Sequence, residues 1–271
     1  LRALAIVDGE HYAPVVRDAL AELPYEFAAA VLVGGTEKLR GDDDYGVPLA
    51  TDVEAGIESY APDVVVDLSD EPVLGPVERL ALASRVLAQG LPYVGADFRL
   101  DPPERLPFGL PSIAVVGTGK RVGKTAVTAH CARLVASTRH VVVVAMGRGG
   151  PDRPEVVTVP PTVDALVELS RSGRHAASDH LEIAALTGLQ TVGCRRCGGG
   201  LAGAVARSNV PEGAAVAASL APDLVVFDGS GAALPPIAAD RTIVVVGGHQ
   251  DPAVVSGYLN AYRLLLADLV L

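Results

Sequence analysis

Gly123-Lys124-Thr125 have the types and order that suit a polyphosphate, and Asp228 suits the cation that accompanies one. A lysine ammonium is a compact charge that can reach β- and γ-phosphate oxygens, and a threonine hydroxyl directly after it can ligate Mg²⁺. The order carries meaning only between a buried strand and a helix, where loop N–H groups and the helix N-terminus converge on phosphate. Ser112–Thr125 reads Ser-Ile-Ala-Val-Val-Gly-Thr-Gly-Lys-Arg-Val-Gly-Lys-Thr, so Ile113–Val116 supplies the strand and Ala126–Ala136 the helix. Gly117, Thr118, Gly119, Val122, Gly123, Lys124 and Thr125 are therefore expected to bind a nucleotide. Asp228 ends a second apolar run, Asp223–Asp228, where an acid can hold Mg²⁺ together with Thr125. Of the 22 basic residues only three are lysines, and two of those, Lys120 and Lys124, lie in this loop. Elsewhere the chain uses arginine.

Other groups of charged residues and glycines could meet an anion. Met146-Gly147-Arg148-Gly149-Gly150-Pro151 follows a four-valine run, with Arg148 either facing an anion or simply facing solvent. Arg174 and His175 precede Ser178 and Asp179, whose ordinary role is to cap the next helix. Thr191–Gly200 (Thr-Val-Gly-Cys-Arg-Arg-Cys-Gly-Gly-Gly) places Arg195 and Arg196 beside Gly198 and Gly199. Guanidinium forks and backbone N–H groups suit a multiply charged anion; half of a shared metal site through Cys194 and Cys197, or a structural loop, are the other readings. Asp8, Glu10 and His11 stand where an open α/β sheet places ligands, and serve equally well as loop caps.

These residues need a scaffold, and the alternation of apolar runs with amphipathic segments supplies it. Strands are expected at Leu4–Val7, Phe27–Val33, Val64–Leu68 and Leu91–Gly95, and helices from Pro14 to Leu23, at Asp52–Tyr60 and at Pro76–Gln89. After the proline-rich stretch 101–107 come strands at Ile113–Val116, His140–Ala145, Asp223–Asp228 and Arg241–Val246. Helices are expected at Val163–Arg171, Asp179–Leu186 and Val254–Leu265. The strand His140–Ala145 is expected to neighbour the phosphate-loop strand. The fold class is α/β: a Rossmann-like domain over 1–106, then a phosphate-loop nucleotide-binding domain with a mostly parallel sheet over 107–271.

At 49% hydrophobic residues the 271-residue chain can bury substantial cores, while its formal net charge of −10 argues against nucleic acid as a partner. The longest stretch free of Asp, Glu, Lys and Arg, Leu106–Gly119, is too short to cross a membrane. Without a signal-peptide pattern, a cytoplasmic location with reduced cysteines is expected.

Thr118 occupies the place of a glycine in the common phosphate loop, and Gly117-Thr118 followed by Val122-Gly123-Lys124-Thr125 resembles the loop of dethiobiotin synthetases. Over essentially the whole chain the sequence resembles the cyclic 2,3-diphosphoglycerate synthetase family. The resemblance is carried by Ile6–Tyr12, Gly117–Thr125, Val144–Pro151, Gly173–Asp179, Val192–Gly200 and Phe227–Pro236. It implies ATP-dependent closure of a phosphoanhydride between the two phosphates of 2,3-diphosphoglycerate, releasing ADP and phosphate. It implies that Lys124, Thr125 and Asp228 hold Mg·ATP, with Lys120 or Arg121 steadying the transferred group. Arg148, Arg174, His175, Arg195, Arg196, Gly198 and Gly199 would meet the anionic substrate. It further implies a homodimer, and family members continue beyond Leu271, so the second domain is expected to be truncated. Competing expectations are a kinase or ligase for another small phosphorylated acid, and a nucleotide-dependent switch or metal-insertion chaperone using Cys194 and Cys197 across a dimer.

Overall fold

Valine- and alanine-rich runs become strands and the proline-opened segments become helices in the computed structural model, which describes residues 1–41, 44–71, 73–173 and 179–271. The chain divides into two units, Leu1–Pro102 with Ser256–Leu265, and Pro103–Val255 with Leu266–Leu271. The segment 256–265, assigned from sequence to the second domain, thus belongs to the first unit.

In the first unit the elements are β1 (Arg2–Val7), α1 (Ala13–Glu22), β2 (Glu26–Leu32), β3 (Leu49–Ala50), α2 (Val53–Tyr60), β4 (Val64–Asp67), α3 (Pro76–Ala88), β5 (Tyr93–Val94) and β6 (Arg99–Leu100). Their order in the sheet, β3-β2-β1-β4-β5-β6, is the doubly wound order expected of a Rossmann-like unit, with only β6 antiparallel. Prolines in the first turns of α1 and α3 cost no hydrogen bond there and preset the backbone. Ala5, Val7, Val16, Leu20 and Tyr45 form one buried cluster of this unit.

The second unit contains β7 (Leu106–Pro107), β8 (Ser112–Gly117), α4 (Lys124–Ala136), β9 (Val141–Gly147), β10 (Glu155–Val157), α5 (Val163–Arg171), α6 (Asp179–Thr187), β11 (Thr191–Cys197), β12 (Arg207–Ser208), α7 (Val210–Ser219), β13 (Leu224–Asp228), β14 (Ile237–Ala238), β15 (Arg241–Val245), α8 (Pro252–Ser256) and β16 (Leu269–Val270). Its main sheet runs β10-β11-β9-β13-β8-β15-β16, parallel except at β10, with β12 antiparallel to β11. Helices α4 and α6 pack on β9 with α7, so β9 is buried along its whole length and reads as a continuous valine run. Val115, Val143, Val226 and Ile243 are among the residues of the core.

Three expectations change. First, β9 does not neighbour β8: α4 carries the chain past one strand position, and β13 later fills it, pairing with both. Asp228, not the 146–151 loop, therefore stands beside the phosphate loop. Second, the expected helix over 254–265 is broken into α8 and α9 (Asn260–Leu265) by Tyr258 and Leu259, whose φ values of 49° and 61° are left-handed. Helix α9 packs on α3 in the first unit. Third, Thr191–Cys197 is a strand despite its glycine and arginines, because it is sandwiched between β9 and β10.

Candidate active site

The carboxyl end of β8 turns through a loop whose glycines are steric requirements. A Cβ built on Gly117 would stand 2.7 Å from Val122 Cγ2 and 3.0 Å from Lys124 Cδ, because the loop folds back over its own first residue. Gly123 has φ 103° at the entrance to α4, a conformation that costs a side-chain-bearing residue strain. Arg121 also adopts a left-handed φ, 59°, and it and Lys120 are exposed. Lys124 is buried, its Nζ donating to the Gly119 carbonyl at 3.1 Å. Burial lowers its pKa, and the carboxylates of Asp228 and Asp179 oppose that shift.

Asp228 ends β13 beside the loop, with only 3% of its surface exposed. Its Oδ1 accepts from Thr128 Oγ1 at 2.7 Å. Burial pushes its pKa up to about 7; the Thr128 hydrogen bond and the Lys124 charge oppose the rise, and Asp179 and Glu182 add to it. Asp179 opens α6, and its Oδ2 would lie 2.9 Å from a Cβ on Gly147 at the end of β9. Its pKa is raised by burial, against the pull of Lys124 and Arg196.

Arg196 and Arg195 part company. Successive side chains of a strand face opposite ways, and β11 buries Arg196 while exposing Arg195. Arg196 Nη2 donates to the Ser230 carbonyl at 3.0 Å, Nη1 donates to the Gly198 carbonyl, and Nε has no partner among the described residues. Burial and the positive charge of Arg148 lower its pKa. Gly198 and Gly199 therefore wrap the Arg196 guanidinium. Arg195 instead has Asp152 at 3.9 Å, while its backbone N–H donates to Asn209 Oδ1 at 2.6 Å. Among the residues singled out from sequence, Lys124 feels the charges of Asp228 and Arg196, and Arg196 that of Arg148; Asp179, read there as a cap, acts on Lys124, Asp228 and Arg196. Arg174, His175 and Ser178 lie outside the described residues.

The same alternation separates Cys194, buried with its thiol pushed up to about 12 by burial, from Cys197, which is exposed. Two sulfurs on opposite faces of a strand, about 10 Å apart along it, cannot meet one ion. No group of three or more His, Cys, Asp or Glu among the described residues is placed to hold a metal. Within one chain the two cysteines therefore do not act as a pair.

In the first unit, Asp8 accepts from Glu10 N–H at 3.0 Å and Asp70 N–H at 2.9 Å, and meets His11 Nδ1 at 3.0 Å. These bonds outweigh burial and hold its pKa below the ordinary value. Asp8 serves here as a cap that ties two loops together.

Two family profiles cover nearly the whole chain: cyclic 2,3-diphosphoglycerate synthetase, N-terminal domain, over residues 2–101, and its P-loop domain over 112–271. The chain belongs to the cyclic 2,3-diphosphoglycerate synthetase family. A protein of that name from Rubrobacter xylanophilus is 52% identical over 286 residues, covering 100% of this chain and 64% of the relative. Relatives of the same name from Methanothermus fervidus and Methanothermobacter thermautotrophicus are 42% and 43% identical, covering 100% and 99% of this chain. The chain spans 64% and 63% of their respective lengths. A solved structure of a DUF1611 family protein from Anabaena variabilis aligns over 99% of this chain at 16% identity and a TM-score of 0.28, too loosely to bear on the site. No helix among the described residues is long and apolar enough to cross a membrane.

Proposed function

We propose that this chain, as a member of that family, carries the site of an ATP-dependent ligase that closes 2,3-diphosphoglycerate into its cyclic phosphoanhydride. One substrate phosphate accepts the γ-phosphoryl group of ATP, releasing ADP; an oxygen of the other phosphate then attacks the activated phosphorus and expels inorganic phosphate. The residues fit Mg²⁺ in their chemistry. Thr125 offers a hydroxyl, and Asp228 offers a carboxylate with one hydrogen bond among the described residues, whose burial cost a cation would relieve. When bound there, Mg²⁺ would draw charge from the β- and γ-phosphates.

Lys124 gives one N–H to Gly119 and keeps two for the nucleotide. Lys120 or Arg121 steadies the transferred group. Arg196 and Arg148 neutralise the substrate phosphates, joined by Arg174 and His175, while Arg195 is turned to the other face of β11. One observation carries this reading. The buried Arg196 guanidinium, its Nε unpartnered among the described residues, feels the positive charges of Lys124 and Arg148 with Asp179 as its counter-charge, a balance that a polyanion would improve. The reading includes a cytoplasmic homodimer, which light scattering and cell fractionation test.

Phosphorus NMR of the protein with Mg·ATP and 2,3-diphosphoglycerate decides the reaction. Two monoester signals should give way to upfield phosphoanhydride signals, with ADP and phosphate appearing. Persistence of both reactants with the full-length protein would overturn the assignment.

A further inference from the structure

The loop Gly247–Gln250, which follows β15, reaches back to the phosphate loop through one side chain. Gln250 Oε1 accepts from the Thr118 hydroxyl and from the Gly247 N–H at 3.0 Å. A backbone N–H can only donate, so the amide atom facing Gly247 must be the oxygen. That fixes the amide the other way round as well: Nε2, with both its hydrogens, faces Gly119, standing 3.2 Å from where a Cβ on that glycine would be. Nε2 has no acceptor among the described residues, and Gln250 is half-buried. Gly119 is also the residue whose carbonyl holds the Lys124 ammonium. Two sets of free donors therefore meet at one loop residue, the ammonium and the amide.

We propose that Gln250 is a ligand-binding residue of this site, donating from Nε2 to a phosphoryl oxygen held over Gly119 while Oε1 fastens the loop through Thr118. The proposal rests on the nucleotide reading of the loop. It also gives Thr118 a reason to stand where the common loop has glycine: its hydroxyl anchors the amide, and its own N–H donates to the Val245 carbonyl at 3.2 Å.

Two variants separate donation from fastening, with Mg·ADP binding to the full chain measured by calorimetry. Q250E keeps an acceptor for Thr118 and Gly247 but replaces the donors with a negative charge. Q250M removes donors and acceptor without adding charge. Mg·ADP should bind tenfold or more weakly to Q250E and several-fold more weakly to Q250M, with Q250E melting at the wild-type temperature. Q250E binding within twofold of wild type would reduce Gln250 to a fastener and overturn the proposal. So would wild-type binding by Q250M, which would leave only charge repulsion in Q250E. If K124A bound Mg·ADP as the wild type does, the nucleotide reading itself would fail; loss in K124A with retention in Q250E would sink only the role of Gln250.

Discussion

Both parallel sheets end in buried aspartates at their carboxyl edge, yet the two edges treat them oppositely. In the first unit Asp67 accepts from Ser69 N–H at 3.0 Å, Ser69 Oγ at 2.6 Å and Tyr93 Oη at 2.6 Å, and forms an ion pair with Arg79 Nε at 3.0 Å, which, like Arg196 Nε, lacks hydrogen-bond geometry to any described residue. Asp8 beside it is similarly occupied. Burial and the Asp67 carboxylate together push the Tyr93 phenol far up, so it remains a donor at any physiological pH. In the second unit, among the described residues, Asp228 has one hydrogen bond and Arg196 an unpartnered Nε; burial pushes the Asp228 pKa up to about 7 and drives that of Lys124 down. Satisfied polar networks specify a fold, whereas incompletely satisfied ones cost stability and mark where something else binds. The first edge meets its aspartates with its own donors; the second leaves Asp228 with one hydrogen bond among the described residues.

Exchanging the consequences of mutation between the edges sharpens the contrast. Lys124→Ala should lower ATP turnover by about 10²–10³-fold, the usual loss for a group that stabilises transferred charge, while leaving the melting temperature unchanged or higher, because a buried ammonium is removed. Steady-state ADP release and a thermal melt check both. Asp67→Ala should do the reverse, costing about 3–5 kcal/mol of folding stability in urea titrations while Mg·ADP affinity per folded molecule is kept. A nucleotide defect in folded D67A would dissolve the distinction. Within the second edge, Arg196→Ala should raise the substrate KM by tenfold or more. Arg195→Ala, exposed and 3.9 Å from Asp152, should change it by less than about twofold, since exposed ion pairs contribute little. Equal effects from the two arginines would show that the facing of β11 does not decide which one meets the substrate.

The phosphate loop was legible from sequence because its chemistry is local: strand, glycines, lysine and helix lie within 25 residues, from Ser112 to Ala136. Asp228 was found for a similar reason, as the acid that ends an apolar run. What sequence missed depends on tertiary contacts. Asp179 fits a helix cap so well that its approach to Gly147 is invisible without the packing of α6 on β9. Gln250 lies 132 residues from Thr118, and nothing local to either residue points to the other. The strand β11 was missed because Gly193, Arg195 and Arg196 lower its apparent β-propensity, which its place between β9 and β10 overrides. Helix α7, an alanine-rich segment with Pro211 in its first turn, went unassigned although its signals were local.

The charge state of Asp228 tests the central contrast most directly. Its folded pKa lies above the ordinary 3.8, so the native state holds the proton more tightly than the unfolded chain does. The folding stability this gives is full below about 3.8 and is lost as pH rises through about 7. Carbon-13 NMR of the aspartate carboxyls, with D228N to assign the signal, can follow this titration with and without Mg·ADP. The predicted result is a midpoint near 7 in the free protein that moves clearly down when Mg·ADP binds, as the cation takes the place of the proton. A midpoint unchanged by Mg·ADP, or one already near 4 without it, would mean that the edge is complete by itself and would contradict the distinction drawn between the two sheets.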